Sequence, residues 1–265
     1  MRKLCLISFA LPFPHLLQQI KEPNIMNKIG VLGGMGPAAT ADFLTKLVQL
    51  TPASCDQEHL PVVVANLPHI PDRSRAILGL GPDPLPAMCA SIDLLVNAGC
   101  GVIAVPCNTS HHWHSDFSKH ASVPVLHIAQ ACVEAVGRAG TTAILGTRGC
   151  LQSGFYQRTI EEQGGLCHVP DAQTVQPLVD ATIAAVKGGD LNAGANYLAQ
   201  VLRILADKGV NAAVLACTEL PLAASICDPA AHAGMTLVDS TLELARASVR
   251  YGLDRGWHKS AMTMR

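Results

Sequence analysis

The chain has 265 residues, a formal net charge of −1, and a composition that is 49% hydrophobic and 15% charged. That length allows one large domain or two modest ones. The near-zero charge gives no electrostatic case for nucleic-acid binding. The low charged fraction is typical of α/β proteins, whose parallel strands are buried on both faces. After residue 26, no segment approaches the ~20 uninterrupted apolar residues of a transmembrane helix, so we expect no membrane partner.

The N-terminal segment differs from the rest of the chain. Two basic residues precede the apolar stretch from Leu4 to Phe13, as at the start of a signal peptide. Prolines interrupt this stretch, no small-residue cleavage site follows it, and a second methionine, Met26, stands just before the first predicted strand. We therefore interpret residues 1–26 as a dispensable extension or a mis-assigned start.

From Lys28 onward, apolar runs alternate with amphipathic segments. The predicted strands cover residues 28–32, 61–65, 101–105, 123–127, 142–145, 166–169, 211–216 and 236–238. The predicted helices cover residues 38–50, 88–98, 110–120, 129–139, 153–163, the end of 171–187, 192–208, and 240–251 with Ser240 as its cap. Residues 66–86 are rich in proline and are predicted to form a long functional loop. The alternation favours right-handed βαβ units and parallel sheets.

The chain contains two similar halves. In each, an apolar run breaks at glycine and a later strand ends just before a cysteine: Gly33 precedes Cys107 by 74 positions, and Gly146 precedes Cys217 by 71. A repeat period of about 110 residues is too long for a solenoid. It predicts two pseudo-symmetric lobes, each a small parallel sheet flanked by helices, with the site between them. The first predicted lobe comprises residues 27–129 and 239–258, and the second comprises residues 130–238.

The ten cysteines form neither a disulfide pattern nor a zinc pattern. Their spacing is irregular, the chain contains no Cys-x-x-Cys pair, and its core is ample without cross-links. We therefore expect most of them to be buried free thiols in a protein of the reducing cytoplasm.

Cys107 and Cys217 stand apart because they occupy equivalent places in the two halves. Ligands of parallel sheets bind at the carboxyl ends of strands, where both thiols are predicted to lie. Each cysteine also opens a predicted helix, whose N–H groups and dipole would favour a thiolate. Two thiols on opposite sides of a small molecule could remove a proton from one face of a carbon and return one to the other. Either cysteine, considered alone, could instead be an inert residue of the buried core, and this alternative stays open.

Four segments together resemble the aspartate/glutamate racemase superfamily, and within it the aspartate racemases. The matching segments are Gly33 to Pro37, Ile70 to Arg73, Cys107 to Thr109, and Cys217 to Glu219. The resemblance extends from about Met26 to about Leu253. A match to one tripeptide of this kind is weak evidence for the family, whereas a match to all four segments in this order is specific. The resemblance implies cofactor-independent racemisation, in which one cysteine takes the α-proton and the other donates one.

The resemblance also implies roles for the residues around the two cysteines. Cys107 and Cys217 would be the acid/base pair, and Asn108, Thr109 and Thr218 would contact the substrate. Glu219, the next residue, is a further candidate for substrate binding. Met35 and Thr147 occupy equivalent turns of the two halves, and we expect them to line the pocket.

Two cations are candidates for the carboxylates of a substrate. Arg73 lies in the proline-rich loop, where a guanidinium can hold a carboxylate with two hydrogen bonds. The resemblance assigns it the distal carboxylate; the alternatives are an exposed loop charge, or Arg75 in its place. Lys187 matches a substrate-binding lysine of aspartate-specific members, but it could equally be a cation that complements a helix C-terminus.

Three histidines, His111, His112 and His114, follow Cys107. We expect their side chains to scatter over different faces of a short helix, which argues against a shared metal, and we expect one of them to tune Cys107. No cofactor is expected.

We expect the protein to racemise a dicarboxylic amino acid, with aspartate as the first candidate. We also expect it to form a homodimer. A broad-specificity or glutamate racemase, or a maleate or hydantoin isomerase, is the alternative within the superfamily. A non-catalytic two-lobe ligand-binding protein is the alternative outside it.

Overall fold

A computed structural model describes residues 27–137 and 140–258, so the expectation for residues 1–26 lies outside the described part of the chain. The described strands are β1 Lys28–Gly33, β2 Val62–Asn66, β3 Cys100–Ala104, β4 Thr141–Gly146, β5 Leu166–His168, β6 Ala212–Ala216 and β7 Thr236–Asp239. All pair in parallel and form two separate sheets, of order β2-β1-β3 and β5-β4-β6-β7. The α/β fold with two small parallel sheets is as predicted.

Helices flank both sheets. They are α1 Pro37–Leu50, α2 Arg73–Ile77, α3 Leu85–Asn97, α4 His114–His120, α5 Ile128–Val136, α6 Arg148–Ser153, α7 Phe155–Glu162, α8 Gln176–Lys187, α9 Leu191–Asp207, α10 Glu219–Ala224 and α11 Ser240–Asp254. Short 3₁₀ helices cover Asp56–Glu58, Thr109–Trp113 and Pro229–His232. Among these described helices, none combines the length and apolar character needed to cross a bilayer.

The two sheets repeat one arrangement. In each, the first strand of the half is central: β1 lies between β2 and β3, and β4 lies between β5 and β6. Strand β7 extends the second sheet beside β6. The equivalent place beside β3 holds only a single bridge, between Ile103 and Val125. The strand predicted at residues 123–127 was therefore wrong, because Pro124 has no N–H and contributes only its carbonyl to Ile103.

One hydrophobic core joins the two sheets. Buried side chains of the first sheet, including Ile29 and Val102, belong to the same cluster as Ile144 of β4 and Val214 of β6. Helix α11 packs against α1 and α5 across this core. Close packing in one core holds the carboxyl ends of β3 and β6, after which the two candidate cysteines lie, in fixed relative positions.

Three local expectations were wrong. The loop at residues 66–86 contains helix α2, which begins because the Asp72 carboxylate accepts from the Arg75 backbone N–H at 2.7 Å. The helix expected at 153–163 begins two residues later, as α7, and the short helix before it, α6, was not expected; Gly154, at a φ of 70°, separates the two. Asp239, not Ser240, caps α11 by accepting from two N–H groups of its first turn.

Candidate active site

A small cavity of about 40 Å³ lies at the carboxyl ends of the strands, between the two sheets. All ten residues that the sequence placed at a catalytic or substrate-binding position line it. Asp72 and Ser74 line it as well and were missed. Their signal was available, since both stand directly beside Arg73 in the chain. We call this space the central cavity.

Cys107 is buried and held by its backbone. Its N–H donates to the Val105 carbonyl at 2.8 Å, and its own carbonyl accepts from the Ser110 hydroxyl at 2.7 Å. The Nδ1 atom of His111 lies 3.0 Å from the same carbonyl. Cys107, three residues after the end of β3, therefore has a fixed main chain from which its side chain reaches the central cavity.

Cys217 is equally buried, but its sulfur has an acidic partner. Its Sγ donates to Glu219 Oε2 at 3.0 Å, and the Thr218 hydroxyl donates to the same oxygen at 3.0 Å. Burial raises the pKa of the Cys217 thiol well above its ordinary value, and the Glu219 carboxylate raises this pKa further. The backbone N–H of Glu219, at the helix start, does lower this pKa as expected, but burial and the carboxylate outweigh it. Helix α10 has six residues and begins with the acidic residue itself.

Lys187 lies at the mouth of the central cavity. It is the last residue of α8, and its Nζ is 3.9 Å from Glu219 Oε1. The Lys187 side chain is 59% exposed, whereas that of Glu219 is 14% exposed. Both interpretations of Lys187 therefore keep their support, since it ends a helix and also faces the cavity. An ion pair this long and exposed contributes little to stability.

Arg73 is fixed by backbone carbonyls. Its Nη1 donates to Ile70 at 3.2 Å and to Pro71 at 3.0 Å, and its Nη2 donates to Met35 at 3.3 Å. The buried Nε atom has no hydrogen-bond partner within the described residues. A buried donor without a partner is costly, and a substrate carboxylate would satisfy it. Arg75, its rival from the sequence, is exposed.

A hydroxyl cluster joins the two halves. Thr147 Oγ1 lies 3.0 Å from Thr109 Oγ1, and Ser74 Oγ donates to the same Thr147 oxygen at 3.2 Å. That oxygen also accepts from the Cys150 N–H, which starts α6. At Gly149, an added Cβ would lie 2.9 Å from Ser74 Cα, so this approach of α6 to α2 requires glycine.

Asn108 forms a second link between the halves. Its side-chain N–H donates to Ser240 Oγ at 3.0 Å, and its carbonyl oxygen accepts from the Tyr156 hydroxyl at 2.6 Å. Ser240 in turn donates to the Leu215 carbonyl at 2.8 Å. The amide oxygen of Asn108 is thus committed to the fold, and its second amide hydrogen is what a ligand could use. Sequence reasoning missed Tyr156 and Ser240 because neither belongs to a local motif.

The histidines do not scatter as expected. His111 and His114 stack at 5.6 Å, and His127 lies 4.4 Å from His114. Positions three apart share a helix face, so the expectation was wrong for this pair, while His112 packs against Trp113 instead. Burial lowers the pKa of His111, and lowers that of His127 to about 4. Within the described ranges, no group of three or more histidine, cysteine or acidic side chains is arranged to hold a metal ion.

Comparisons with known proteins agree with this geometry. The family model described as Asp/Glu/Hydantoin racemase matches residues 32–248. The broad specificity amino-acid racemase RacX of Bacillus subtilis (strain 168) is 28% identical over 229 residues, which cover 83% of this chain and 96% of that protein. A glutamate racemase of Corynebacterium glutamicum is 31% identical over 164 residues, covering 60% of this chain and 58% of that one.

Among solved structures, the Picrophilus torridus aspartate racemase superposes with a TM-score of 0.75 at 29% identity, covering 85% of this chain and 94% of that one. The fold, the cavity at the strand ends and the extent of the family match point the same way. The chain belongs to the Asp/Glu/hydantoin racemase family.

Proposed function

We propose that the protein racemises an acidic amino acid, with aspartate as the first candidate, by moving a proton between Cys107 and Cys217 without a cofactor. The observation that carries this proposal is that the two thiols line one cavity together with Arg73, whose buried Nε has no hydrogen-bond partner within the described residues. The thiols follow β3 and β6, which occupy equivalent places in the two sheets. Substrate bound between them would present opposite faces of its α-carbon to the two sulfurs.

The reaction needs one thiolate and one thiol. The thiolate takes the α-proton, so that a C–H bond breaks and an S–H bond forms, and the other thiol then protonates the opposite face. Because burial and the Glu219 carboxylate raise its pKa, Cys217 begins as the proton donor. A positioned base contributes about 10²–10⁴-fold, so the carbanion-like state also needs stabilisation. The Asn108 and Thr109 N–H groups make no hydrogen bond within the described residues and are suited to the α-carboxylate.

The cations favour a substrate with two carboxylates. Arg73 is anchored by three backbone carbonyls and keeps an unpartnered Nε for the distal carboxylate. Lys187 supplies a second positive charge at the cavity mouth. The similarity to the Picrophilus torridus aspartate racemase supports aspartate over the longer glutamate.

A broad-specificity amino-acid racemase is the second candidate. An apolar recess of about 280 Å³ opens beside Lys187 and Glu219 and is lined by the start of α1 and by Val186 and Leu222. Such a recess suits a larger apolar side chain. The similarity to RacX, whose name records broad specificity, supports the same candidate.

Isotope exchange separates these candidates. The protein is incubated in deuterated water with each enantiomer of aspartate, glutamate, alanine and leucine, and both α-deuterium and optical rotation are followed. We expect aspartate to gain α-deuterium and to become racemic fastest. Leucine exchanging as fast as aspartate would favour the second candidate. Absence of exchange with every amino acid would overturn the proposed function.

A further inference from the structure

The surroundings of the two candidate thiols differ although their sequence motifs look alike. Glu219 Oε2 accepts a hydrogen bond from Cys217 Sγ at 3.0 Å. The other carboxylate of the central cavity belongs to Asp72, and it caps α2 instead. One thiol of the pair is therefore coupled to a carboxylate, and within the described residues the other is not.

Repeated turnover makes this difference matter. When one enantiomer is converted, a proton ends on the cysteine that acted as base and is missing from the cysteine that acted as acid. Both thiols must exchange protons before the same enantiomer can react again. Cys217 is only 7% exposed, so its sulfur has little direct access to water. Glu219, at 14% side-chain exposure, lies between Cys217 and the exposed Lys187.

We propose that Glu219 is a catalytic proton relay for Cys217. To form the base, the S–H bond of Cys217 breaks and an O–H bond forms on Glu219 Oε2, which yields a thiolate and a neutral carboxylic acid. In the reverse step the acid returns its proton and restores the thiol. Only a proton moves between Cys217 and Glu219, so nothing is oxidised or reduced and no further reactant is needed. This inference rests on the proposed function, because it concerns the same two sulfurs.

Electrostatics favours this transfer over direct loss of the proton to water. A thiolate beside a charged Glu219 would place two anions about 3.0 Å apart, which is strongly unfavourable in a buried site. Transfer to Glu219 keeps a single negative charge in the pair. The Thr218 hydroxyl, which donates to Oε2, and Lys187, which faces Oε1, hold the carboxylate in place for it.

Elimination from a β-chlorinated aspartate tests the relay separately for each thiol. One base takes the α-proton and chloride leaves, so each enantiomer needs only the cysteine that faces its α-hydrogen. Cys107→Ala and Cys217→Ala first show which enantiomer uses which cysteine. Glu219→Gln then removes the proton acceptor but keeps the size of the side chain. Glu162→Gln, at an exposed position in α7, is the matched control.

For Glu219→Gln we expect the ratio of the two elimination rates to shift about 100-fold against the Cys217-dependent enantiomer at neutral pH. Cys217 must then lose its proton to water, so the lost rate should recover as the pH is raised toward about 10. A merely structural change would not produce this alkaline recovery. Glu219→Asp keeps a carboxylate and should retain more of the Cys217-dependent rate than Glu219→Gln.

Three results would each overturn the relay. They are an unchanged ratio of elimination rates, equal losses of rate with both enantiomers, and a Cys217-dependent rate in Glu219→Gln at least as high as in Glu219→Asp. If Glu219→Gln fails to fold, Glu219→Asp is compared with the wild type instead. The relay requires that the ratio of elimination rates in Glu219→Asp also shift against the Cys217-dependent enantiomer. Racemisation by the wild-type protein is measured in parallel. If the wild-type protein racemises but the ratio is unchanged in the variants, only the relay is overturned. If the wild-type protein neither racemises nor eliminates, the proposed function itself is overturned.

Discussion

The second residue after each candidate cysteine differs between the two halves. Thr109 follows Cys107 and joins the hydroxyl cluster through Thr147, whereas Glu219 follows Cys217 and accepts from its sulfur. Two segments that look equivalent in sequence therefore give one thiol a neutral neighbour and the other an anionic one. In the proposed mechanism, the proton chemistry of the pair starts from this asymmetry rather than from the symmetry of the fold.

Arg73→Lys tests recognition of the distal carboxylate. Lysine cannot supply the Nε donor and also keep the three bonds to Ile70, Pro71 and Met35 that orient the guanidinium. We expect kcat/KM for aspartate to fall about 10–100-fold, the effect of one lost hydrogen bond to a charged group. Any alanine racemisation should change far less.

Arg75→Lys is the control for that substitution, because Arg75 is exposed and lies two positions along the same helix. It should leave the kcat/KM for aspartate within about twofold of wild type. Equal losses in the two variants, or a loss for alanine as large as that for aspartate, would remove Arg73 from carboxylate recognition.

At the scale of elements, the two halves meet where α6 approaches α2. Thr147, Ser74 and Thr109 share hydroxyl contacts there, and Gly149 leaves no room for a side chain against Ser74. Small residues thus set how closely the two sides of the central cavity approach.

Gly149→Ala should separate α6 from α2. The added Cβ would meet the Ser74 backbone at 2.9 Å, which cannot move aside as a flexible side chain would. We expect a loss of about 1–3 kcal/mol in the free energy of unfolding, measured by urea denaturation. The kcat should fall about tenfold, because misplaced reacting groups lose rate steeply. The control is Gln152→Ala, at an exposed position of the same helix, which should show neither effect. If Gly149→Ala is as stable as the wild type, the contact between α6 and α2 can accommodate a methyl group and the prediction is wrong.

Sequence patterns predicted the central elements well and the bridging contacts poorly. The apolar run ending at Gly33, the one ending at Gly146 and the two cysteine strands were all found, because buried parallel strands carry a strong local signal. Tyr156 and Ser240 were not, because they reach Asn108 across 48 and 132 positions of the chain. The Cys217–Glu219 bond depends on a side-chain direction that residue spacing alone does not set.

At the scale of the whole molecule, the histidine cluster near the core should make the fold sensitive to acid. Burial lowers the pKa of His127 to about 4, and the neighbouring His114 and Arg158 add to this. A histidine with a lowered pKa binds its proton more readily in the unfolded chain. Its contribution to stability is therefore complete above about pH 6.5 and is lost as the pH falls toward about 4.

His127→Asn tests this acid sensitivity. Asparagine can still accept from the Ala129 N–H that His127 Nδ1 now caps, but it does not titrate. Between about pH 7 and about pH 4.5, the variant should lose about 2 kcal/mol less unfolding free energy than the wild type. Urea denaturation at the two pH values measures this difference. Identical losses would show that His127 is protonated as easily in the folded protein as in the unfolded chain.

In the proposed function, two sheets of like order around one cavity place Cys107 and Cys217 on either side of a substrate carbon. The most direct measurement is racemisation of each aspartate enantiomer by Cys107→Ala and by Cys217→Ala, with circular dichroism to verify the fold. We predict that each variant loses at least about 10³-fold in kcat for both enantiomers, because each direction needs both a base and an acid. Wild-type racemisation by either folded variant would contradict the two-thiol account.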